Sequence, residues 1–263
     1  MQQTMPALFI GHGSPFNAIT QNSFTESLKA LSGKIPKPEA ILVISAHWLT
    51  TGTHVGCNQH PKTLYDFFGF PRKLYQLTYS CPGSPKYAQL IKDIVQSASV
   101  ACDNHWGLDH AAWAVLLHIY PAADIPVLEM SLDCSKSPEY HYQLGAELLR
   151  LRQQGVLIIG SGNIVHNLRL ANSADIDAKP FPWAKEFDSA VKNCLLNARH
   201  KALIEYKKLC DHADLAVPTN EHYLPLLYTI ALQQPEDRIS FIFEGIQNAS
   251  VSMRSFMLSR QLL

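Results

Sequence analysis

Short apolar runs bounded by glycine or polar residues recur along the chain, and each has the length of a strand that is buried on both faces. Five such runs predict strands over residues 7–10, 40–45, 127–131, 156–160 and 239–243. Helical patterns occupy residues 24–31, 85–98, 111–119, 138–153, 183–198 and 223–232. Because strands alternate with helices, the pattern predicts one layered α/β domain over residues 1–263, with a central mostly parallel or mixed sheet flanked by helices.

Two stretches fall outside this alternation, residues 51–82 and residues 166–182. Both are long for loops in a compact domain, where long ordered loops commonly have a functional role. The first stretch is rich in aromatic residues: Tyr65, Phe67, Phe68, Phe70, Tyr75 and Tyr79. Two interpretations stay open, a loop packed over the edge of the sheet and one wall of a pocket for an aromatic substrate.

The composition favours a small molecule as the binding partner. The 263 residues are 47% hydrophobic and 17% charged, which is ordinary for a globular protein and excludes disorder as the main character. Lys and Arg total 22 and Asp and Glu total 22, so the formal net charge is zero. A neutral chain has no general electrostatic attraction to nucleic acids or anionic membranes. No run approaches the ~20 consecutive apolar residues of a membrane-spanning helix.

The six cysteines are scattered along the chain, with no Cys-x-x-Cys pair. This spacing argues against a disulfide framework and against a cysteine-rich zinc site, and it favours small buried thiols. The first ten residues lack the basic region, apolar segment and cleavage site of a secretion signal. These features together predict a protein of the reducing cytoplasm.

Four of the twelve histidines follow predicted strands or begin a predicted helix. His12, His47 and His166 follow the strands that begin at residues 7, 40 and 156, and His222 directly precedes the last helix. In open α/β sheets the carboxyl ends of the strands border the ligand crevice, so these side chains can converge there. Imidazole is a good ligand for iron, zinc, copper and nickel, and the sequence therefore predicts a metal site at this edge. For any one of these histidines alone, a hydrogen-bonded loop residue is the simpler interpretation.

Six sequence blocks, spread over nearly the whole chain, carry a resemblance to a known family. They are ALFIGHGSP (7–15), SAHW (45–48), YDFFGFP (65–71), GLDHAAW (107–113), GSGNIVHNL (160–168) and PTNEHYLP (218–225). In this order they resemble the class III extradiol ring-cleaving dioxygenases, in the 4,5-DOPA dioxygenase branch that includes plant betalain enzymes and their bacterial relatives. The resemblance implies a single-domain α/β fold that cleaves a catechol ring with O₂ at a non-haem metal.

The resemblance also implies roles for individual residues. It assigns the metal to His12, His47 and His222, and it makes His166 either the acid/base residue or a fourth ligand. Ring-cleaving members use Fe(II), while bacterial relatives in this branch are often found with Zn(II), so both metals are expected candidates. Better-known class III enzymes supply two histidines and a glutamate, whereas the third position here is His222. Its neighbour Glu221 is therefore a candidate either to reach the metal or to hold a ligand in place.

Ring cleavage needs a base that takes a hydroxyl proton and later returns one. A histidine with a pKa near 6.5 serves both directions at neutral pH, and His166 is the candidate. His110 is a candidate second donor to oxygen or substrate. Asp109 is a candidate supporting residue for the site. The alternative for this pair is structural, with Asp109 as the N-cap of a helix and His110 packed in its first turn.

The substrate implied by the branch is a DOPA-like catechol, cleaved with O₂ at the 4,5 position to a semialdehyde. Tyr65, Phe70 and Tyr223 are candidate contacts for its ring, with core packing as the alternative for each. Arg72, Lys73 and Arg254 are candidate partners for a substrate carboxylate, although exposed surface charge is the favoured interpretation of each.

Two other functions fit the same residues. Three neutral histidines and an open position also describe a zinc-dependent hydrolase, in which the metal lowers the pKa of bound water to about 7. A non-catalytic metal-binding protein on the same scaffold is the third possibility, since fold does not determine function. The sequence is compatible with a monomer or a homodimer.

Overall fold

The structure, a computed structural model, describes residues 4–260. The strands are β1 (Ala7–Gly11), β2 (Ala40–Thr50), β3 (Thr53–Gly56), β4 (Val100–Asp103), β5 (Val127–Asp133), β6 (Val156–Gly162), β7 (Arg238–Phe243), β8 (Ile246–Gln247), β9 (Val251–Ser252) and β10 (Ser255–Ser259). The α-helices are α1 (Ser23–Lys29), α2 (Pro85–Ile94), α3 (His110–Ile119), α4 (Pro138–Glu147), α5 (Leu149–Gln153), α6 (Pro182–Leu196), α7 (His200–Ile204), α8 (Ala213–Ala216) and α9 (Leu224–Ala231). Short 3₁₀ turns lie at Pro15–Ala18, Leu74–Gln76 and Tyr206–Lys208.

Eight strands form one mixed sheet in the order β4-β3-β5-β2-β6-β1-β10-β7. Its centre is parallel, because β6 pairs in parallel with β1 on one side and with β2 on the other, and β2 pairs in parallel with β5. Antiparallel pairs join β10 to β1 and to β7. The predicted fold class is therefore confirmed. The parallel centre places the carboxyl ends of β1, β2 and β6 side by side at one edge.

Helices cover both faces of the sheet, and alternate residues of the central strands enter two separate cores. In β1, Ala7 and Phe9 join one core while Leu8 and Ile10 join the other. Helices α2, α4, α6 and α9 pack on the first core, and α1 and α3 pack on the second. Because both faces are covered, the central strands read as continuous apolar runs. Within the described residues, no helix combines the length and apolarity needed to cross a bilayer.

The structure departs from the predicted elements mainly at strand ends and sheet edges. β2 continues through a polar segment to Thr50, with a register shift against β5 between Ile44 and Leu49. β3 and β4 were missed because they are short and only partly buried. β10 is fully buried but begins and ends with serine, which hides its apolar character. The helix predicted over residues 138–153 is two helices, α4 and α5.

The cysteine prediction needs correction, because Cys57 and Cys102 form a disulfide. Cys102 lies on β4 and Cys57 directly follows β3, its parallel neighbour, so pairing of the strands brings two residues 45 positions apart together. Cys81 and Cys194 are buried as expected, while Cys134 is exposed. The disulfide removes the support that scattered thiols gave to a reducing compartment.

Candidate metal centre

Three histidines from distant parts of the sequence meet at the carboxyl ends of the central strands. His12 directly follows β1, His47 lies in the irregular part of β2, and His222 lies two residues before α9. One ligand atom from each lies within 4.8 Å of the others. An irregularity in strand pairing redirects side chains, which explains how His47 reaches the cluster from within a strand.

The His12 ring is fixed by a serine on the neighbouring strand. Its Nδ1 lies 3.1 Å from Oγ of Ser161 in β6. The Ser161 hydroxyl donates its one proton to the backbone carbonyl of Ala111 at 2.7 Å. Because that proton is engaged, Ser161 Oγ must accept from Nδ1–H of His12. The neutral ring then presents a proton-free Nε2, the form that binds a metal.

His222 is fixed in the same sense by its neighbour in sequence. Its Nδ1 lies 3.1 Å from Oε1 of Glu221, which favours the proton on Nδ1. Its Nε2 is buried and has no hydrogen-bond partner among residues 4–260. A buried polar atom without a partner is costly unless a ligand satisfies it. Nε2 of His222 therefore has the environment of a metal ligand.

The third ring brings its nitrogen against that of His12. Nε2 of His47 lies 3.2 Å from Nε2 of His12. Nδ1 of His47 lies 3.1 Å from Oδ2 of Asp66, which favours the proton on Nδ1. Two proton-free nitrogens face each other in this arrangement, and a cation between them removes the repulsion of their lone pairs. The observed contact fits a bound metal ion.

All three rings are neutral at neutral pH. Burial, followed by the neighbouring imidazoles, lowers the pKa of His12 and His47 well below the ordinary value. Burial also lowers the pKa of His222, although Glu221 opposes it. Three neutral imidazoles suit Fe(II) and Zn(II) alike, so the donor set fits the implied metals and does not choose between them.

Two further clusters at the site include carboxylates, His47–Asp66–His110 and His166–Glu221–His222. Their carboxylates contact the Nδ1 atoms of His47, His110 and His222. Burial acts to raise the pKa of Glu221, but the hydrogen bond and charge of His222, together with hydrogen bonds from the backbone and Thr219, outweigh it and lower the pKa to about 2. Glu221 is thus an ionised acceptor that orients His222, an arrangement usual behind a metal-bound histidine.

His166 stacks on one of the three rings. Its ring centroid lies 3.5 Å from that of His222, with an interplanar angle of 11°. Burial, and then the charge of His222, lower the pKa of His166 to about 2. The pKa near 6.5 assumed from the sequence therefore does not describe this residue, because burial and the neighbouring His222 both disfavour the charged ring. His166 is therefore neutral at neutral pH.

His110 and Asp109 begin α3, and the structure gives them both structural and site contacts. Asp109 is the helix N-cap and accepts the backbone N–H of Ala111 at 3.0 Å. It also accepts the Ser45 hydroxyl at 2.6 Å, and Ser45 Oγ in turn accepts the backbone N–H of His47 at 3.1 Å. His110 packs its ring 4.2 Å from that of His47. Asp109 thus supports the site through Ser45 while capping the helix.

Asp66 was missed as a site residue. Its side chain is 15% exposed and contacts both His47 and His110. The only sequence signal was its position inside the aromatic block of residues 65–71. Ser161 was missed for the same reason, since its only sequence signal was its position inside the block of residues 160–168.

The aromatic stretch forms one wall of the site. Phe67 lies edge-on to His110, with ring centroids 5.7 Å apart. Phe70 contacts Phe67 at 5.1 Å and Phe16 at 4.9 Å. We call Phe16, Phe67 and Phe70 the aromatic wall. Of the predicted ring contacts, Phe70 therefore belongs to the wall, although Phe67 is the member that touches a histidine.

The other two predicted ring contacts have different environments. Tyr65 donates its hydroxyl to Leu77 at 2.7 Å and lines a surface cavity of about 520 Å³ whose lining contains none of the site histidines. Tyr223 is fully buried and donates its hydroxyl to Leu203 at 3.0 Å. It packs on Phe187 and Tyr206 in the core. A contact between Tyr223 and substrate is therefore not supported, because its side chain faces away from His222.

Arg254 also differs from its prediction as an exposed charge. It is 5% exposed and forms ion pairs with Asp188 and Glu244. Its guanidinium is thus already neutralised within the protein. Arg72 and Lys73 are exposed as expected.

The assembled site can now be compared with known proteins. Residues 6–237 match the family described as the catalytic LigB subunit of aromatic ring-opening dioxygenase. The chain belongs to this family. The matched region contains His12, His47, His110, His166 and His222, so the family relationship includes the whole histidine cluster.

Relatives of this LigB-family chain match it over nearly its full length. It is 42% identical over 260 residues to "4,5-DOPA dioxygenase extradiol" of Escherichia coli strain K12, covering 97% of this chain and 94% of the relative. It is 41% identical to the protein of the same name from Beta vulgaris, covering 94% of each. A crystal structure of an uncharacterized protein, JW3007 from Escherichia coli K12, has 39% identity and a TM-score of 0.85, covering 97% of this chain and 100% of that chain.

Proposed function

We propose that this protein is an extradiol dioxygenase that opens the ring of a catechol with O₂, at an Fe(II) ion held by His12, His47 and His222. The observation that carries the proposal is the convergence of these imidazoles, with the buried Nε2 of His222 lacking any partner. Membership of a family of aromatic ring-opening dioxygenases supports the reaction class. The names of the relatives support a DOPA-like substrate cleaved at the 4,5 position to a semialdehyde.

When bound, Fe(II) would transfer electron density from a coordinated catecholate to O₂. The residues around it set the charge of the site. Because all three ligand rings are neutral, they leave the positive charge of the ion uncompensated. An anionic catecholate balances that charge, and the burial of His12 and His222 strengthens the attraction. The ligand set therefore favours a substrate that loses a proton on binding.

His166 is the proposed base for that proton. It is neutral and its ring lies against the ligand His222, which places it beside the metal. His166 shares a candidate metal cluster with Glu221 and His222 but lies outside the three-imidazole cluster, and its face-to-face stacking on His222 favours an acid/base role over a fourth ligand. Protonated His166 then returns the proton later in the reaction. His110 is the proposed second donor, on the side of the aromatic wall.

The aromatic wall is proposed to hold the substrate ring. Phe67 and Phe70 lie edge-on to each other, and Phe67 lies edge-on to His110. Aromatic rings favour edge-to-face or offset contacts, so this surface suits a flat ring brought towards the histidines.

Metal reconstitution tests the proposal. Metal-stripped protein receives Fe(II) or Zn(II) without air, followed by DOPA or catechol and then O₂. We expect oxygen uptake and a yellow semialdehyde with Fe(II) only. His166→Ala should abolish product while metal stays bound, whereas the exposed control His105→Ala should behave like wild type. Stoichiometric Fe(II) binding without oxygen uptake on any catechol would refute the proposal and favour the hydrolase or binding alternatives.

A further inference from the structure

Asp66 joins two histidines of the site through a single carboxylate. Its Oδ2 lies 2.8 Å from Nδ1 of His110 and 3.1 Å from Nδ1 of His47. Its Oδ1 accepts the backbone N–H of His110 at 3.0 Å. The two rings are themselves packed with centroids 4.2 Å apart. One carboxylate therefore faces a proposed metal ligand, a proposed proton donor and the first residue of α3.

The charge on this carboxylate determines which ring nitrogens bear protons. A neutral imidazole has one N–H, and an anionic oxygen beside Nδ1 favours the proton on that nitrogen. Both rings then present a proton-free Nε2 to the other histidines. For His47 this is the atom that lies 3.2 Å from Nε2 of His12. The wrong tautomer would place an N–H where the metal belongs.

We propose that Asp66 is a positioning residue that holds His47 and His110 in the same Nδ1–H tautomer and thereby couples metal binding to proton transfer at His110, whose Nε2 accepts a proton before it can donate one. The inference rests on the proposed metal ligands. It goes beyond them because it assigns one carboxylate, that of Asp66, to orient two histidines that have different roles. Asp66 lies beside Phe67, so the same segment that supplies the aromatic wall also orients the metal ligand.

An amide cannot replace this carboxylate. Asn has one acceptor oxygen and an NH₂ group that only donates. With Asn at position 66, the NH₂ group faces either the two ring Nδ1 atoms or the backbone N–H of His110, so at least one donor loses its acceptor, and the negative charge that holds the ring protons on Nδ1 is lost in both cases. A ring that faces it must turn or move its proton to Nε2. Removing such a supporting partner typically lowers metal affinity 10–100-fold.

Zinc affinity tests the inference without any need for turnover. Metal-stripped wild type, Asp66→Asn and Asp175→Asn compete with a chelating dye for Zn(II). Asp175 is a matched control, because its carboxylate accepts only backbone N–H in an exposed loop, from Asp177 at 3.0 Å. We expect about 10–100-fold weaker binding for Asp66→Asn and less than twofold change for the control. Equal affinity of Asp66→Asn and wild type would overturn the inference.

A second measurement reads the tautomers and does not depend on Asp66→Asn. Long-range ¹H–¹⁵N spectra of metal-free wild type distinguish Nδ1–H from Nε2–H in each ring, with His47→Asn and His110→Asn spectra used for assignment. We expect Nδ1–H in both rings, and Nε2–H in either would overturn the inference even where Asp66→Asn fails to fold. If wild type itself binds no zinc, the proposed metal centre fails. If wild type binds zinc and only the Asp66 results are negative, the metal centre stands.

Discussion

Gly162→Ala should displace His222 and damage the metal centre more than the fold. Gly162 ends β6, and a Cβ built there would lie 2.2 Å from the backbone oxygen of His222. That distance is about 1.2 Å short of ordinary contact, which begins at 3.4 Å. The strand is held by its pairing with β1, where Gly162 lies opposite Gly11. The segment that carries His222 must therefore move.

The size of this shift determines the expected loss. Metal–ligand distances tolerate about 0.2 Å, so a displacement near 1.2 Å removes His222 from the ligand set. It also breaks the 2.8 Å hydrogen bond from the N–H of Asn163 to the His222 carbonyl. We expect zinc affinity to fall by more than about 100-fold, beyond the usual effect of losing a supporting partner. Overpacking should lower the free energy of unfolding by about 1–3 kcal/mol.

Gly56→Ala is the matched control for this prediction. Gly56 also ends a strand, but a Cβ there meets backbone atoms of Glu129 only at 3.7 Å, which is ordinary contact. Chelator competition gives the zinc affinity, and urea denaturation of the metal-free protein gives the free energy of unfolding. Gly56→Ala should leave zinc affinity unchanged. Wild-type zinc affinity in Gly162→Ala would refute the assignment of His222 as a ligand held by this close approach.

Three further predictions follow from other parts of the molecule. Phe67→Ala should raise KM for a catechol several-fold with a smaller change in kcat, since Phe67 lies in the aromatic wall. Phe68→Ala, at a side chain that is 91% exposed, should change neither, and equal effects of the two in steady-state kinetics would contradict the wall assignment. Asp237→Ala should lower the free energy of unfolding by about 3–5 kcal/mol, because it leaves buried Arg152 without its ion-pair partner; a change under 1 kcal/mol in urea denaturation would refute this. Burial raises the pKa of Asp109 from 3.8 to about 6, so the folded state binds this proton more tightly than the unfolded state. Protonation of Asp109 therefore stabilises the fold at low pH, and this stabilisation is lost as the pH rises from about 4 to 6. Asp109→Asn should therefore reduce the decline in stability between pH 4 and 6, and an unchanged slope in denaturation at several pH values would show that Asp109 does not cause it.

Local patterns were sufficient to predict the centre of the fold. β1 and most of β6 are apolar because both faces are covered, and that burial is visible in sequence without knowledge of their partners. β5 is buried along its length although it contains Glu129 and Asp133. The longer helices were found for a similar reason, through caps and periodic apolar residues, whereas the short helices α7 and α8 were missed. Edge strands such as β4 leave no such pattern, because half of their residues face solvent.

The histidines were also found from local signals. His12, His47 and His166 were singled out because they follow apolar runs, and the rule that ligands bind at the carboxyl ends of strands converts that position into a predicted site. The structure brings these residues together with His222. Their roles as ligands or acid/base residues remain predictions.

Sequence alone therefore determined the layered fold and the residues that could meet at its edge, since both follow from short-range patterns of burial. Tertiary structure alone decided which side chains fix the rings. Ser161 and Asp66 act through contacts of about 3 Å that have no common spacing in sequence. For Glu221, which the sequence had named, the contact with His222 Nδ1 favours orienting that ring over reaching the metal. The same holds for Tyr223, whose neighbour His222 enters the site while its own ring enters the core. Side-chain direction and hydrogen-bond partners depend on the packing of distant segments, and a linear pattern does not contain that information.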